Sequence, residues 1–493
     1  MNLAQALRLS DAPCLALVGA GGKTTALFQL AKELSAPVIL TATTHLAAHQ
    51  VSMADKHLIV QNLEDLAFFV RSNPSGVTLL TGAYEGDRTT GLPNDILHWL
   101  CAYCNSNHIA LLIEADGSRQ RPLKAPSQGE PPIPDFVDMV VVVAGLSGLG
   151  KPLSEDWVHR VERFRRVSGA ANQRVGESAG QRVGESAGQR VGESASQQVV
   201  TVEMVAKVLM HPQGGLKNIP ANARRIALLN QADTAELQAK AKVLAERLIP
   251  TYHAIIIACL NPRSSISNQQ STILDPQSAI HAVHEPVAGI LLAAGEAKRF
   301  GQPKQLLDWH GQPFVRVVAQ TALAAGLSPV VVVTGAKAEL VEAAVKDLSV
   351  IIVRNEAWQA GQSSSIRAGV RALTPDLSPM QGEACGAAIF LLADQPQVTP
   401  AVLRALVERH AQDLAPIIAP LVQGQRANPV LFDRVTFPDL LALPALAARP
   451  GSGDVGGRAI FSKHPVAYLP WHDDSLLLDV DTAEDYKRLE SRE

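Results

Sequence analysis

Twice in this chain an apolar strand pattern runs directly into a loop bearing glycine and lysine, and then onward into a chain of predominantly α/β character. This doubled unit restricts the fold more than any other feature. The first copy is CLALV, Cys14 to Val18, followed by GAGGKTT and by ALFQLAKEL with helical spacing. The second is the strand VAGILLAAG followed by EAKRFGQPK, which ends at Lys304. PVILTATTH, ALLIEADGS, MVVVVAGL, IALLNQAD and AIIIACL extend the first pattern, and PVVVVTG, SVIIVRN, AAIFLLADQP and APIIAPLV extend the second. Near-continuous apolar strands alternating with helices predict α/β layers with largely parallel sheets.

At 493 residues the chain exceeds the usual size of one hydrophobic core, so two domains are expected. Residues 1–260 form the first, a P-loop-like nucleotide-binding domain, and residues 287–493 the second. Residues 261–286, rich in Ser, Asn, Gln and Pro, read as a linker. The octad QRVGESAG repeats in tandem from Gln173 to Ser196, with almost nothing to bury, and reads as a flexible surface insertion. A further loop insertion, around TPDLSPMQGEACG, interrupts the second domain.

The 44 basic and 47 acidic residues give a net charge of −3, which offers no footprint for nucleic acid or an anionic membrane. With no apolar run of membrane-spanning length and no leader pattern at MNLAQALRLSDAP, the protein is expected to be cytoplasmic. Five cysteines argue against a disulfide framework, and Cys101 and Cys104 read as a structural pair on an apolar helix.

In LLAAGEAKRFGQPKQLL, Leu291 to Leu307, a buried strand ends at Ala293. Gly295 and Gly301 let backbone approach a ligand, while Lys298, Arg299 and Lys304 bring positive charge to the same loop, as a triphosphate requires. Asp394 follows the strand AIFLLA, at the carboxyl end where open α/β sheets bind ligands. A carboxylate there can hold a magnesium ion that screens the repulsion between a nucleophilic phosphate and the phosphorus it attacks.

The unit LxxGxxxRxGxxK resembles the signature of the MobA-like nucleotidyltransferases, and within them the molybdenum cofactor cytidylyltransferases. GQSSSIRAGV, LLADQP, GQRANPVLF, GDVGGR and LLDVDTAEDY extend the resemblance over about 200 residues. It implies a Rossmann-like nucleotidyltransferase domain of the nucleotide-diphospho-sugar transferase type. It also implies that Arg299, Lys304, Asp394 and Asp481 are catalytic, with Mg2+ on Asp394 and Asp481 and with Asp479 as the alternative second acid. Ala293, Ala294, Gly295, Gly301, Ser364, Ser365 and Arg367 would bind the nucleotide, and Asn428 and Arg458 the acceptor. LAAG and DQP favour CTP over GTP, and molybdopterin or its molybdenum form is the implied acceptor. Relatives of the fold use sugar or polyol phosphates. Glu296 departs from the small polar residue usual at its position, and Ala427 replaces a Gly before Asn428.

In the first domain, the amides of Gly19, Gly21 and Gly22 with Lys23 could cradle phosphates, Thr24 could offer its hydroxyl to magnesium, and Thr25 completes the loop. The full P-loop pattern is not met; the loop is shorter and similar to the GxxGKTT of Mur-type ligases. Glu114 and Asp116 end an apolar strand, followed by Arg119, Arg121 and Lys124, and His45 ends another. ATP or GTP is the expected nucleotide. GAGGKTT, TATTHL, EADGSRQRPLKAP, HRVERF, HPQGGLKNIP and LLNQADT together resemble the YqeC-type accessory proteins of selenium-dependent hydroxylases. That resemblance implies a role in maturing molybdenum hydroxylases, with an apo-hydroxylase as partner. A non-enzymatic chaperone role for this half is the alternative. LNQAD, Leu229 to Asp233, also resembles the base-reading NKxD of GTP-binding proteins, with Gln231 in the Lys position.

Overall fold

The computed structural model describes residues 1–71, 74–170, 198–260, 279–296, 303–374, 385–444, 456–480 and 482–490. The octad repeat, the linker as far as 278, the loop insertion at 375–384, and Arg299, Gly301 and Asp481 lie outside them. The chain divides into two compact units, Met1–Ala282 and Val283–Glu493.

The first unit is built on strands β1 (Cys14–Gly19), β2 (Val38–Ala42), β3 (Lys56–Ile59), β4 (Val77–Thr81), β5 (Ala110–Glu114), β6 (Leu123–Lys124), β7 (Met139–Gly145), β8 (Val158–His159), β9 (Arg224–Asn230), β10 (Ala254–Cys259) and β11 (Ala279–His284). Nine of them form one sheet in the order β11-β10-β9-β7-β1-β5-β2-β4-β3. The pairs from β10 through β3 are parallel. β2, β5 and β7 are buried along their whole length because helices cover both faces, which is why they read as unbroken apolar runs. Ala279–His284 was expected in the linker; it is instead the edge strand of this sheet, and only its Val283 is fully buried. A short edge strand of two small alanines, an Ile, a Val and two His has little regular apolar alternation to reveal it.

Helix α1 (Lys23–Glu33) leaves the carboxyl end of β1 through the glycine loop. Gly19, at φ +96°, has no room for a side chain, since a Cβ would stand 2.2 Å from the Val143 carbonyl oxygen. Gly21, at φ +90°, would meet the Gly145 Cα at 2.4 Å. The loop therefore lies flat against β7, and both glycines are demanded by protein packing. Helix α2 (Asn94–Asn107) turns Cys101 and Cys104 inward, and burial with the neighbouring Cys101 pushes the Cys104 thiol up to about 12. That is the expected structural pair.

In the second unit the strands are β12 (Val287–Ala293), β13 (Val330–Thr334), β14 (Ile351–Arg354), β15 (Ala387–Leu392), β16 (Ile417–Val422), β17 (Gln425–Arg426), β18 (Val430–Asp433) and β19 (Val466–Pro470). Their order is β14-β13-β12-β15-β18-β16-β17, with β19 beside β16. The four strands around β12 are parallel, whereas β18 runs antiparallel to both β15 and β16. The sheet is thus mixed rather than wholly parallel. Helix α3 (Phe314–Ala324) packs in the core on one face, and α4 (Gln362–Leu373) contributes Ile366, Val370 and Leu373 to the core on the other. No helix among the described residues is long and apolar enough to cross a membrane.

Candidate functional site

Each unit carries a large open cleft at the carboxyl ends of its central parallel strands, where the strands diverge from their crossover helices. The cleft of the second unit is about 960 Å³ and is walled by Leu292 to Glu296, Lys304, Gln305, Trp358, Gln359, Gly361, Gln362, Ser365 and Leu392 to Asp394. The end of β12 thus supplies Ala293, Ala294 and Gly295, and the end of β15 supplies Asp394, as the sequence pattern suggests. A methyl group built on Gly295 would meet nothing within 4 Å among the described residues. Lys304 Nζ stands 3.9 Å from Asp394 Oδ2. Gln305 is buried below the loop and donates to the carbonyls of Ala293 and Gly295, at 3.4 and 3.0 Å, which fixes the backbone of the strand end. Glu296 is exposed and lines the same cleft.

A smaller cavity of about 250 Å³ adjoins this cleft and shares Leu292, Gln362 and Leu392 with it. Asn428, Arg458, Arg426, Phe461 and Asp479 line it. Both residues read as acceptor-side groups are therefore in the second cavity, separate from the loop residues. Arg426 lies over the Phe461 ring at 4.4 Å, a cation–π contact that holds the guanidinium at the wall. Asp479 accepts from Gln395 Nε2 at 2.7 Å.

Not every sequence candidate reaches a wall. Ser364 and Ser365 both accept from the buried Asn355 amide, at 2.8 and 3.0 Å, and only Ser365 lines the cleft. Ser364 also donates to the Gly361 carbonyl at 2.8 Å. Arg367 extends to the Leu443 carbonyl at 2.5 Å and lines neither cavity. In a helix such as α4, Ser365 and Arg367 are two residues apart and cannot share a face, which accounts for the difference. Gln362, one helical turn before Ile366, and Trp358 were missed because a Gln and a Trp in a loop carry no distinctive spacing signal.

The first unit's cleft is about 970 Å³. Gly21, Gly22, Lys23, Thr24, Thr25, His45 and Glu114 line it, together with Arg119, Arg121, His159, Arg160 and Gln50. Gly19 and Asp116 sit behind it, in a small apolar recess with Lys124. Here the charges are already matched. Lys23 Nζ donates to the Gly19 carbonyl at 2.9 Å and pairs with Asp116 at 3.2 Å and, more loosely, with Glu114 at 3.9 Å. Lys124 takes the other Asp116 oxygen at 2.7 Å, and Asp116 also accepts from the Gly19 amide at 3.1 Å. Thr24 donates to Glu114 at 2.8 Å and accepts from Gln50 at 3.1 Å. Burial raises the Glu114 carboxyl, against the pull of Lys23 and Thr24.

Beyond these, Arg160 grips Glu130 with two bonds of 2.6 and 2.8 Å. Burial opposes ionisation of Glu130, yet this fork and Lys124 hold its carboxyl down at about 2. His45 Nδ1 lies 3.2 Å from the Thr89 carbonyl. Glu130, His159 and Arg160 lie in segments that carry the family resemblance, His159 and Arg160 opening HRVERF, but their separation in sequence gave them no individual role; the fold brings them together. The LNQAD segment behaves differently from a base reader: Asn230 is buried and donates to the Gly21 carbonyl at 2.8 Å, and Asp233 accepts from Cys259 at 2.7 Å. Among the described residues no group of three or more His, Cys, Asp or Glu side chains is arranged to hold a metal ion.

Residues 15–162 match the family model described as YqeC protein, and residues 289–467 match the MobA-like NTP transferase domain. The chain is 31% identical over 228 residues to the uncharacterized protein YqeC of Escherichia coli (strain K12), covering 45% of this chain and 77% of that protein. It is 32% identical over 212 residues to nicotine blue oxidoreductase of Paenarthrobacter nicotinovorans, covering 41% of this chain and 96% of that one. Over another 212-residue match it is 30% identical to the purine catabolism protein PucB of Bacillus subtilis (strain 168), at 40% and 93% coverage.

Proposed function

The chain belongs to the YqeC family through its first half and to the MobA-like NTP transferase family through its second, and from that premise we propose that the second half transfers CMP from CTP to the phosphate of molybdopterin or its molybdenum form. Pyrophosphate is the leaving product. The first half binds ATP or GTP, and the two together serve the maturation of molybdenum hydroxylases, selenium-dependent ones included, with an apo-hydroxylase as partner. The observation that carries the reading is the pair of joined cavities: a cleft with the loop residues, Lys304 and Asp394, opening beside a smaller one with Asn428 and Arg458.

The residues present fit a magnesium ion, since Asp394 is a partly exposed carboxylate at the strand end within the cleft, and Mg2+ is commonly bound through one or two carboxylates plus substrate phosphates. Asp394 would hold it, with Asp481 or Asp479 as second acid. Bound there, the ion would neutralise charge on the reacting phosphates. Lys304 and Arg299 neutralise the departing pyrophosphate, and the amides around Ala294 and Gly295 support the triphosphate. Arg458 and Asn428 orient the acceptor phosphate, bringing its oxygen to the α-phosphorus without a separate collision. In the first half, Thr24 is the hydroxyl suited to magnesium.

Turnover with CTP, GTP and UTP, each tested against molybdopterin and against sugar and polyol phosphates, measures the claim. Pyrophosphate release with CTP and molybdopterin is expected; release only with a sugar or polyol phosphate moves the acceptor class, and failure of every pair removes the transferase reading. One relative's name favours a second reading, redox chemistry at the same cleft. Consumption of a reduced nicotinamide cofactor without pyrophosphate release would support that reading instead. For the first half, Lys23→Ala is expected to abolish nucleotide binding. Unchanged binding would leave the chaperone reading in its place.

A further inference from the structure

The acids and bases around the first unit's glycine loop cancel in pairs. Lys23 and Lys124 are matched by Asp116 and Glu114, and Arg160 by Glu130. Arg88, also on the cleft wall, pairs loosely with the adjacent Asp87 at 3.8 Å. Arg119 and Arg121 line the same cleft, and neither has an ion pair or side-chain hydrogen bond among the described residues. Two guanidinium groups are thus left over after every lining acid is used.

His159 sits with them. Its side chain lines the cleft, the residue is only 8% exposed, and its ring has no hydrogen-bond partner among the described residues. At the wall of an open cleft and without a protein partner, the imidazole can bond water or a bound ligand. Burial first, and then the positive charges of Arg160, Lys124 and Arg119, lower the pKa of that ring, with Glu130 pulling the other way. The surrounding backbone is also unusual. Arg119, Gln120 and Arg160 all have left-handed φ, at 49°, 59° and 66°, a conformation that costs energy in non-glycine residues and gathers at binding sites. Finally, the cleft of about 970 Å³ lies at the top of the roughly 300–1,000 Å³ range of small-molecule sites.

We propose that this cleft holds two ligands together: a nucleoside triphosphate on the GAGGKTT loop, and a phosphate-bearing small molecule on the wall formed by Arg119, Arg121 and His159. The proposal rests on the nucleotide-site reading of this half and adds the class of its second substrate. Guanidinium forks suit a phosphate oxyanion, and a neutral imidazole contributes one N–H donor to it without adding charge. The loop amides and Lys23 serve the nucleotide, so the two anions have separate sets of donors.

The test uses the full-length protein, magnesium, a non-hydrolysable ATP or GTP analogue and inorganic phosphate as the probe for the second site. Calorimetry measures analogue binding first, and phosphate binding is then measured at saturating analogue. Phosphate is expected to bind the analogue-loaded protein. R119Q/R121Q is expected to weaken phosphate about tenfold or more while changing analogue affinity less than about threefold. H159Q should weaken phosphate by a smaller factor, and unchanged thermal melting of each variant shows that the fold is intact. Strict competition between phosphate and analogue, or equal loss of both in R119Q/R121Q, would assign the arginines to the nucleotide and overturn the proposal. Absence of phosphate binding under every condition overturns it too. If the wild type binds phosphate through these arginines but no analogue, the nucleotide-site reading fails while the oxyanion wall stands.

Discussion

The two glycine loops begin from the same local pattern and end in different packing. In the first unit the loop is pressed against β7, its lysine is tied to the Gly19 carbonyl and Asp116, and its glycines are required by neighbouring backbone. In the second, a Cβ on Gly295 would meet nothing within 4 Å among the described residues, and Lys304 stands 3.9 Å from Asp394. The same sequence device therefore stands at the wall of two large clefts in different packing: one loop is fixed by neighbouring backbone with its lysine fully buried, and the other leaves its lysine less buried. A lysine and an aspartate beside a glycine loop do not by themselves say which.

One substitution made in both places gives the strongest way to break this comparison. Asp394→Ala is expected to reduce pyrophosphate release about 1,000-fold, or about 4 kcal/mol of transition-state stabilisation, with little change in the urea midpoint. A variant retaining turnover within tenfold would remove Asp394 from the chemistry. Asp116→Ala should do the reverse, costing about 3 kcal/mol in urea unfolding of the first unit because two buried lysines lose their carboxylate. Cytidylyl transfer should survive it. An unaltered unfolding curve would show that the Asp116 ion pairs do not hold the first loop.

A smaller effect sharpens the same contrast by pH. Glu130 is depressed from 4.5 to about 2 in the folded protein, so its contribution to stability is complete above about pH 4.5 and disappears as pH falls towards 2. Glu130→Gln should therefore lower the urea midpoint at pH 7 and converge with the wild type near pH 2. A constant gap across that window would mean that the Arg160 fork does not hold the carboxylate. Least of all, Glu296→Ser should tighten CTP binding about threefold, as expected for removal of one exposed like charge. Weaker binding would place Glu296 among the groups that assist the nucleotide or its metal.

Much of this organisation was legible in the residues. Unbroken runs such as MVVVVAG declare a strand buried on both faces, and the strand-end positions of Asp394 and Glu114 follow from where those runs stop. What could not be read was direction and company. The antiparallel β18 is as apolar as its parallel neighbours, so nothing in VLFD signals its reversal. Ser364 and Arg367 sit in a motif beside Ser365 yet turn to Asn355 and Leu443, because helical geometry separates neighbours that the sequence lists together. The Glu130–Arg160 fork joins residues 30 apart, which no local spacing can announce.

Asn230 carries a consequence of its own. Its carboxamide donates to the Gly21 carbonyl and accepts from the Leu260 amide at 3.0 Å, and a Cβ on Gly22 would stand 2.3 Å from its nitrogen. One side chain is therefore a rivet through three layers of chain: the glycine loop above, β9 in the middle, and Leu260 below. The loop cannot rise without loosening the place where the polypeptide leaves β10. An Asp there would still accept from the Leu260 amide but would set a second acceptor against the Gly21 oxygen, so a change of one heavy atom would unfasten the loop end alone.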